Sequence, residues 1–184
     1  LNFLNKNRKR LAYDELLANQ LAISIIRNFN QKQKGIKLVN NSKFVNELIN
    51  NLPFQLTKSQ IKVWEEIKID LISSNQMVRL LQGDVGSGKT IVSLLAMMHA
   101  IDSGFQVAMM VPTSILAQQH YNNINNFLSY TDIKVVLLTG KDKGKSRIEK
   151  LNLIKSGKAK IVIGTHALIQ DDVEYNRIGL VVID

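Results

Sequence analysis

Cysteine is absent from the 184 residues, so disulfides and thiolate metal sites are excluded together. That lack fits a reducing compartment, and a cytoplasmic protein is the expectation. Long apolar runs are absent too: none approaches the roughly 20 residues that a membrane-spanning helix needs. The basic N-terminal segment 1–17 has no apolar core behind it, which excludes a secretory signal there. Acidic residues are few: 15 Asp and Glu stand against 24 Lys and Arg, a formal net charge of +9. Such an excess suits a polyanion such as nucleic acid, and suits a lysine-rich soluble surface equally well. Internal repeats and low-complexity tracts are also missing. What remains is an ordinary globular composition, 45% hydrophobic and 21% charged.

The chain opens with helical spacing. Leu17, Leu21, Ile25 and Phe29 recur every fourth residue among polar ones, which predicts an amphipathic helix over 10–33. The polar stretch 31–42 breaks it. A second, short helix is expected after Ser42, carrying Phe44, Val45, Leu48 and Ile49, and Pro53 punctuates its end. Residues 1–52 are therefore read as a helical leader and 53–184 as the main domain. There, Thr57 reads as the N-cap of a helix reaching Leu71, with Trp64 in its core face. Five short apolar runs follow at 77–82, 106–112, 133–139, 159–165 and 178–184. Helical stretches at 88–103, 114–128 and 145–156 separate most of them. Alternating strands and helices with continuously apolar strands predict an α/β fold, a parallel sheet covered on both faces.

The most specific motif is "GDVGSGKT", Gly83 to Thr90, which matches G-x-x-x-x-G-K-[ST] between a predicted strand and a predicted helix. The loop Gly83, Asp84, Val85, Gly86, Ser87, Gly88 is expected to curl its backbone N–H groups around a phosphate chain. The following helix N-terminus adds partial positive charge. Lys89 is placed to reach the β- and γ-phosphates, and Thr90 to put its hydroxyl on Mg²⁺. Such a site needs a second acid at the end of a neighbouring strand, and Asp184 after "LVVI" supplies one. Lys89 and Asp184 are thus the catalytic candidates, with ATP and Mg²⁺ as the ligands.

Further stretches resemble superfamily 2 helicases. "LPFQLTKSQ" at 52–60 looks like an adenine-recognition motif, and "VPTSILAQQH" at 111–120 like motif Ia. "LLTGKDKGKSR" at 137–147 resembles the motif Ib region, and 164–184 resembles motif Ic leading into motif II. The leader segment 9–23 resembles the helix preceding such motors. The resemblance implies a RecA-like fold and an ATP-dependent helicase acting on branched or forked DNA in recombination and repair. A transcription-repair coupling translocase is the second reading and a P-loop nucleotide kinase the third. Gln60 is expected to pair with adenine through its amide, and Phe54 to pack on the base. Thr113, Gly140, Lys141, Thr165 and His166 are the DNA candidates, gripping phosphates without reading bases. Lys143, Lys145 and Arg147 are expected to add unspecific attraction. Asp171 and Asp172 read as polar-loop acids without a partner, and His99 and His120 as packing or surface residues. Ser114 stands where the family more often has Glu. The resemblance also implies a second RecA-like domain and a DNA-recognising wedge outside these residues. The expectation is therefore an excerpt, monomeric, that binds ATP and weakly DNA without efficient hydrolysis.

Overall fold

The computed structural model describes the backbone of residues 2–184, and the side chains of 7–26 and 33–184. The chain divides into two compact units: Leu1–Lys37 with Ser73–Leu80, and Leu38–Ile72 with Leu81–Asp184. This division falls elsewhere than the boundary read at 52/53, because residues 38–52 pack with the second unit.

The first unit is dominated by one long helix, α1 (Asn2–Lys32). It starts earlier than expected, since no proline or glycine interrupts the polar residues before 10. Leu17, Leu21 and Ile25 are exposed, and the side chain of Phe29 lies outside the described residues. Beyond α1 the chain pairs with 74–76: Gly35 N–H donates to the Ser74 carbonyl at 2.8 Å, and Gln76 N–H to that of Gln33 at 3.0 Å. The expected strand at 77–82 does not form. An apolar run becomes a strand only when a neighbour offers its backbone groups, and this segment is irregular, with Val78 and Leu80 exposed.

The second unit holds α2 (Lys43–Asn51), α3 (Lys58–Ile72), α4 (Lys89–Asp102), α5 (Ser114–Phe127) and α6 (Gly144–Lys155). They surround a four-stranded sheet, β1 (Gln106–Met110), β2 (Lys134–Leu138), β3 (Ala159–Gly164) and β4 (Ile178–Ile183). The strands run parallel in the order β2-β3-β1-β4, so the predicted sheet is present with one strand fewer. Ala108, Val136 and Val162 point to the face covered by α6, where Ile154 is fully buried. Met109, Ile161 and Ile163 point to the other face, equally buried, where α4 and α5 pack. A parallel sheet needs this double cover, which is why its strands are mostly apolar, with Gln106, Lys134 and Lys160 as polar exceptions. Among the described residues no helix is long and apolar enough to cross a membrane.

Three polar devices fix this unit. Gln106 is buried, and its amide is saturated: Nε2 donates to the carbonyls of Ile154 (2.9 Å) and Ala159 (2.7 Å), and Oε1 accepts from Asn176 N–H (2.7 Å) and Arg177 N–H (3.2 Å). Asp102, at the end of α4, caps α2 by accepting from the N–H groups of Phe44 (3.0 Å) and Val45 (3.4 Å). A carboxylate there also suits the positive end of the α2 dipole. His99 Nε2 lies 2.8 Å from the Leu38 carbonyl, and Asn40 Nδ2 donates to the His99 carbonyl at 2.8 Å. Burial holds the His99 imidazole below its ordinary pKa, although the Leu38 hydrogen bond pulls upward. Trp64 is core as predicted, edge-on to His99 with 5.8 Å between centroids.

Candidate nucleotide and nucleic-acid site

The loop from Gly83 feeds directly into α4. Gly86 and Gly88 both have φ 81°, the left-handed region, where a β-carbon is strained. Gly83 does not need that freedom; it lies close under Ser87, whose Oγ would meet an added β-carbon at 2.7 Å. Lys89 is the first residue of α4, and its ammonium folds back across the loop, donating to the carbonyls of Gly83 (2.8 Å) and Asp84 (2.9 Å). Thr90 follows within the first turn, half-buried.

Gln60 is brought to this loop from α3. Its Nε2 donates to the Ser87 carbonyl at 2.9 Å. Its Oε1 accepts from Thr57 N–H at 2.9 Å, while Thr57 Oγ1 accepts from Gln60 N–H at 3.2 Å. This reciprocal pair is a capping box, so Thr57 is the N-cap expected and Gln60 is its N3 partner. One amide thus ties the start of α3 to the phosphate loop. Phe54 is half-exposed and meets Phe127 edge-on, with centroids 6.4 Å apart. It also borders a cavity of about 700 Å³ between α2 and α3, lined by Val45, Ile49 and Trp64 but by no residue of the loop Gly83–Thr90.

Because the strands are parallel, their C-terminal ends share one rim, the edge where open α/β sheets place ligands. Thr113 follows β1, Gly140 and Lys141 follow β2, Thr165 and His166 follow β3, and Asp184 follows β4. The sheet order therefore sets the DNA candidates on three adjacent strands and Asp184 on the fourth. Thr113 N-caps α5, its Oγ1 accepting from Leu116 N–H at 3.3 Å. Gly140 and Lys141 lie in an exposed turn pinned by Asp142, which accepts from Thr139 N–H at 2.7 Å and pairs with Lys150. Burial raises the Asp142 carboxyl, but the hydrogen bonds from Lys150 and Thr139 outweigh it and the net shift is down.

Two expectations are corrected on this rim. Arg147 is not free for DNA: it is paired with Asp172 at 2.8 Å and also donates to Gln170 Oε1 at 2.8 Å. Asp172 accordingly has a partner, and the Arg147 hydrogen bond lowers its pKa. The pair fastens α6 to the loop after the short 3₁₀ turn His166–Ile169. Lys155 and Glu174 (2.6 Å) and the Tyr175 hydroxyl on the Leu168 carbonyl (3.3 Å) stiffen the same loop. His120 adds a contact beyond simple packing. It is buried on α5, and its Nε2 lies 2.8 Å from Asp184 Oδ2. No sequence signal links these residues, which are 64 positions apart.

The residues present fit a hard cation held jointly with a substrate. Thr90 and Asp184 offer oxygen only, and the Asp184 side chain is half-exposed, with its Oδ2 on His120. Among the described residues no group of three His, Cys, Asp or Glu could hold a metal alone. Mg²⁺ does not require one, because it commonly takes one or two protein oxygens plus substrate phosphates.

Residues 57–184 match the family model described as DEAD/DEAH box helicase. The chain is 47% identical over 98% of its length to the ATP-dependent DNA helicase RecG of Thermotoga maritima, covering 23% of that protein. It is 43% identical over 96% of its length to that of Escherichia coli K12, covering 26%. It thus spans about a quarter of the length of the curated relatives it matches. A solved structure of RecG bound to a three-way DNA junction superposes with a TM-score of 0.88 at 47% identity, over 97% of this chain and 24% of the other.

Proposed function

The chain belongs to the DEAD/DEAH box helicase family, and from that premise we propose that it is the nucleotide-gripping half of an ATP-dependent DNA helicase motor working on branched or forked DNA. The observation that carries this reading is the meeting of Gln60 with the loop Gly83–Thr90, on the unit whose rim carries Asp184. Family membership also sets aside the nucleotide-kinase reading.

Each residue has a role that follows from its position. The loop Gly83–Gly88 and the start of α4 direct N–H groups at the phosphates. The Lys89 ammonium exchanges two carbonyls for phosphate oxygens. Thr90 and Asp184 hold Mg²⁺, which supplies charge neutralisation on the triphosphate when bound. The Gln60 amide reads the adenine edge, and Phe54 offers it an apolar face. Thr113, Gly140, Lys141, Thr165 and His166 grip DNA phosphates, so DNA binding is weak, salt-sensitive and indifferent to sequence. These groups grip the ground state, whereas rate comes from contacts made only in the transition state. On this reading such contacts come from a second RecA-like domain, and residues 1–184 by themselves are expected to bind ATP with little turnover.

The test is calorimetry with ATP and Mg²⁺. Lys89→Ala is expected to lose about 1.5–3 kcal/mol of binding, the worth of a charged hydrogen bond, with the melting temperature retained. Equal affinities would remove Lys89 from the site. Gln60→Ala should weaken ATP more than GTP; a uniform loss would make Gln60 structural. Phosphate release with forked DNA near 1 s⁻¹ or faster, about the low end for kinases, would show that the chain needs no second domain.

A further inference from the structure

We propose that His120 is a positioning residue for the nucleotide site: it holds the Asp184 carboxylate in the orientation that receives the metal. The proposal rests on the reading of Asp184 as the metal-side acid. Three observations carry it.

The first is geometric. His120 Nε2 lies 2.8 Å from Asp184 Oδ2, within the range of a good hydrogen bond to a carboxylate. The Asp184 side chain is half-exposed and the His120 side chain is almost fully covered, so the ring is the fixed partner and the carboxylate the movable one. An acid at the end of a strand has two free side-chain torsions. One bond to a packed ring removes most of that freedom and leaves Oδ1 for another ligand.

The second is the setting of the ring. Ala117, His120 and Ile124 form the buried stripe of α5. The first and last are apolar and lie on the sheet, as helix spacing requires. His120 is the polar member of that stripe. A leucine would fill the place without desolvating two nitrogens, so packing alone gives no reason for an imidazole.

The third is the unsatisfied atom. His120 Nδ1 is buried and, among the described residues, has no hydrogen-bond partner. The other ring nitrogen, Nε2, is the one that reaches Asp184. A buried orphan of this kind is a cost to the fold. It is tolerated where the other nitrogen has a task, and here that task is the carboxylate. Metal sites commonly orient their ligands through such outer hydrogen bonds. Thr113 caps the same helix, so one rigid element carries a proposed DNA contact at its start and the partner of Asp184 two turns on.

The experiment measures ATP affinity of the full chain by calorimetry, once in excess EDTA and once in saturating MgCl₂, and takes the ratio. Two variants separate position from bulk. His120→Gln keeps an N–H at similar reach, and His120→Met keeps the volume without a donor. The ratio is expected to stay within about twofold of wild type in the Gln variant and to fall about fivefold or more in the Met variant, a loss of one hydrogen bond's order. Asp184→Asn should lose the ratio as well. If Asp184→Asn loses it and His120→Met keeps it, His120 does not position the acid. Equal losses in the Gln and Met variants would make the residue's shape, not its donor, responsible and overturn the proposal. If Asp184→Asn keeps the ratio, the assignment of Asp184 itself fails, a result distinct from the other two.

Discussion

Helices α1 and α4 are both rich in leucine and isoleucine, yet they meet opposite fates. In α4 ten of the residues between Ile91 and Ile101 are buried, with only Ser93 half-covered. In α1 Leu17, Leu21 and Ile25 are 42%, 54% and 67% exposed. Helical spacing of apolar residues therefore sets which residues share a face, not whether that face is covered. The sheet covers α4 on one side, through β1 and β4, while α2 and α3 pack on it too. That enclosure is what makes α4 a rigid base for the loop Gly83–Gly88 at its N-terminus.

The comparison can be pressed experimentally, from the strongest effect downward. Leu95→Ala in α4 removes a fully buried side chain and should lower unfolding free energy by about 3–5 kcal/mol, the range for buried leucines. A urea titration measures it, and a loss below about 1 kcal/mol would mean that the helix is less enclosed than described. Asp102→Ala strips α2 of its cap and should cost about 1–3 kcal/mol, with the amides of Phe44 and Val45 gaining faster hydrogen exchange than those of β1. Unchanged exchange would detach α2 from α4.

A pH series probes His99, whose imidazole is depressed first by burial. The unfolded chain binds its proton near the ordinary value of 6.5, and the folded chain only at lower pH. Between those values the unfolded state holds more protons, so stability rises with pH there. The contribution is complete above about 6.5 and is lost progressively as pH falls below it. Urea midpoints at three pH values spanning that window should show the decline, and His99→Phe should flatten it; a parallel decline in the variant would assign the effect elsewhere. The smallest effect belongs to α1. Leu21→Ser should change stability by no more than about 0.5 kcal/mol, as for exposed sites generally. A loss of about 2 kcal/mol would show that something covers this face.

Much of the fold is legible in the sequence because its signals are short-range. The α4, α5 and α6 bounds lie within a residue or so of those read from spacing, since the glycines and polar breaks that end a helix are its immediate neighbours. Thr57 is visible as an N-cap for the same reason: the capping box closes over three residues. Residues 77–82 mislead because β-rich composition resembles a strand whether or not a partner lies beside it. Arg147 and Asp172 mislead together, as a free cation and a free acid, because a sequence does not show a helix meeting a distant loop.

The glycine-rich motif Gly83–Thr90, the parallel α/β pattern and the residues that follow each strand are properties of the amino-acid order alone. They depend on composition and spacing within a few residues, where backbone sterics and hydrogen bonding act. Three long-range pairings belong instead to the folded chain: Asp102 caps α2, Gln60 reaches Ser87, and His120 meets Asp184 across 64 positions. A side chain's distant partner is fixed by how the strands are ordered and which helix crosses above them, and local chemistry carries no record of either.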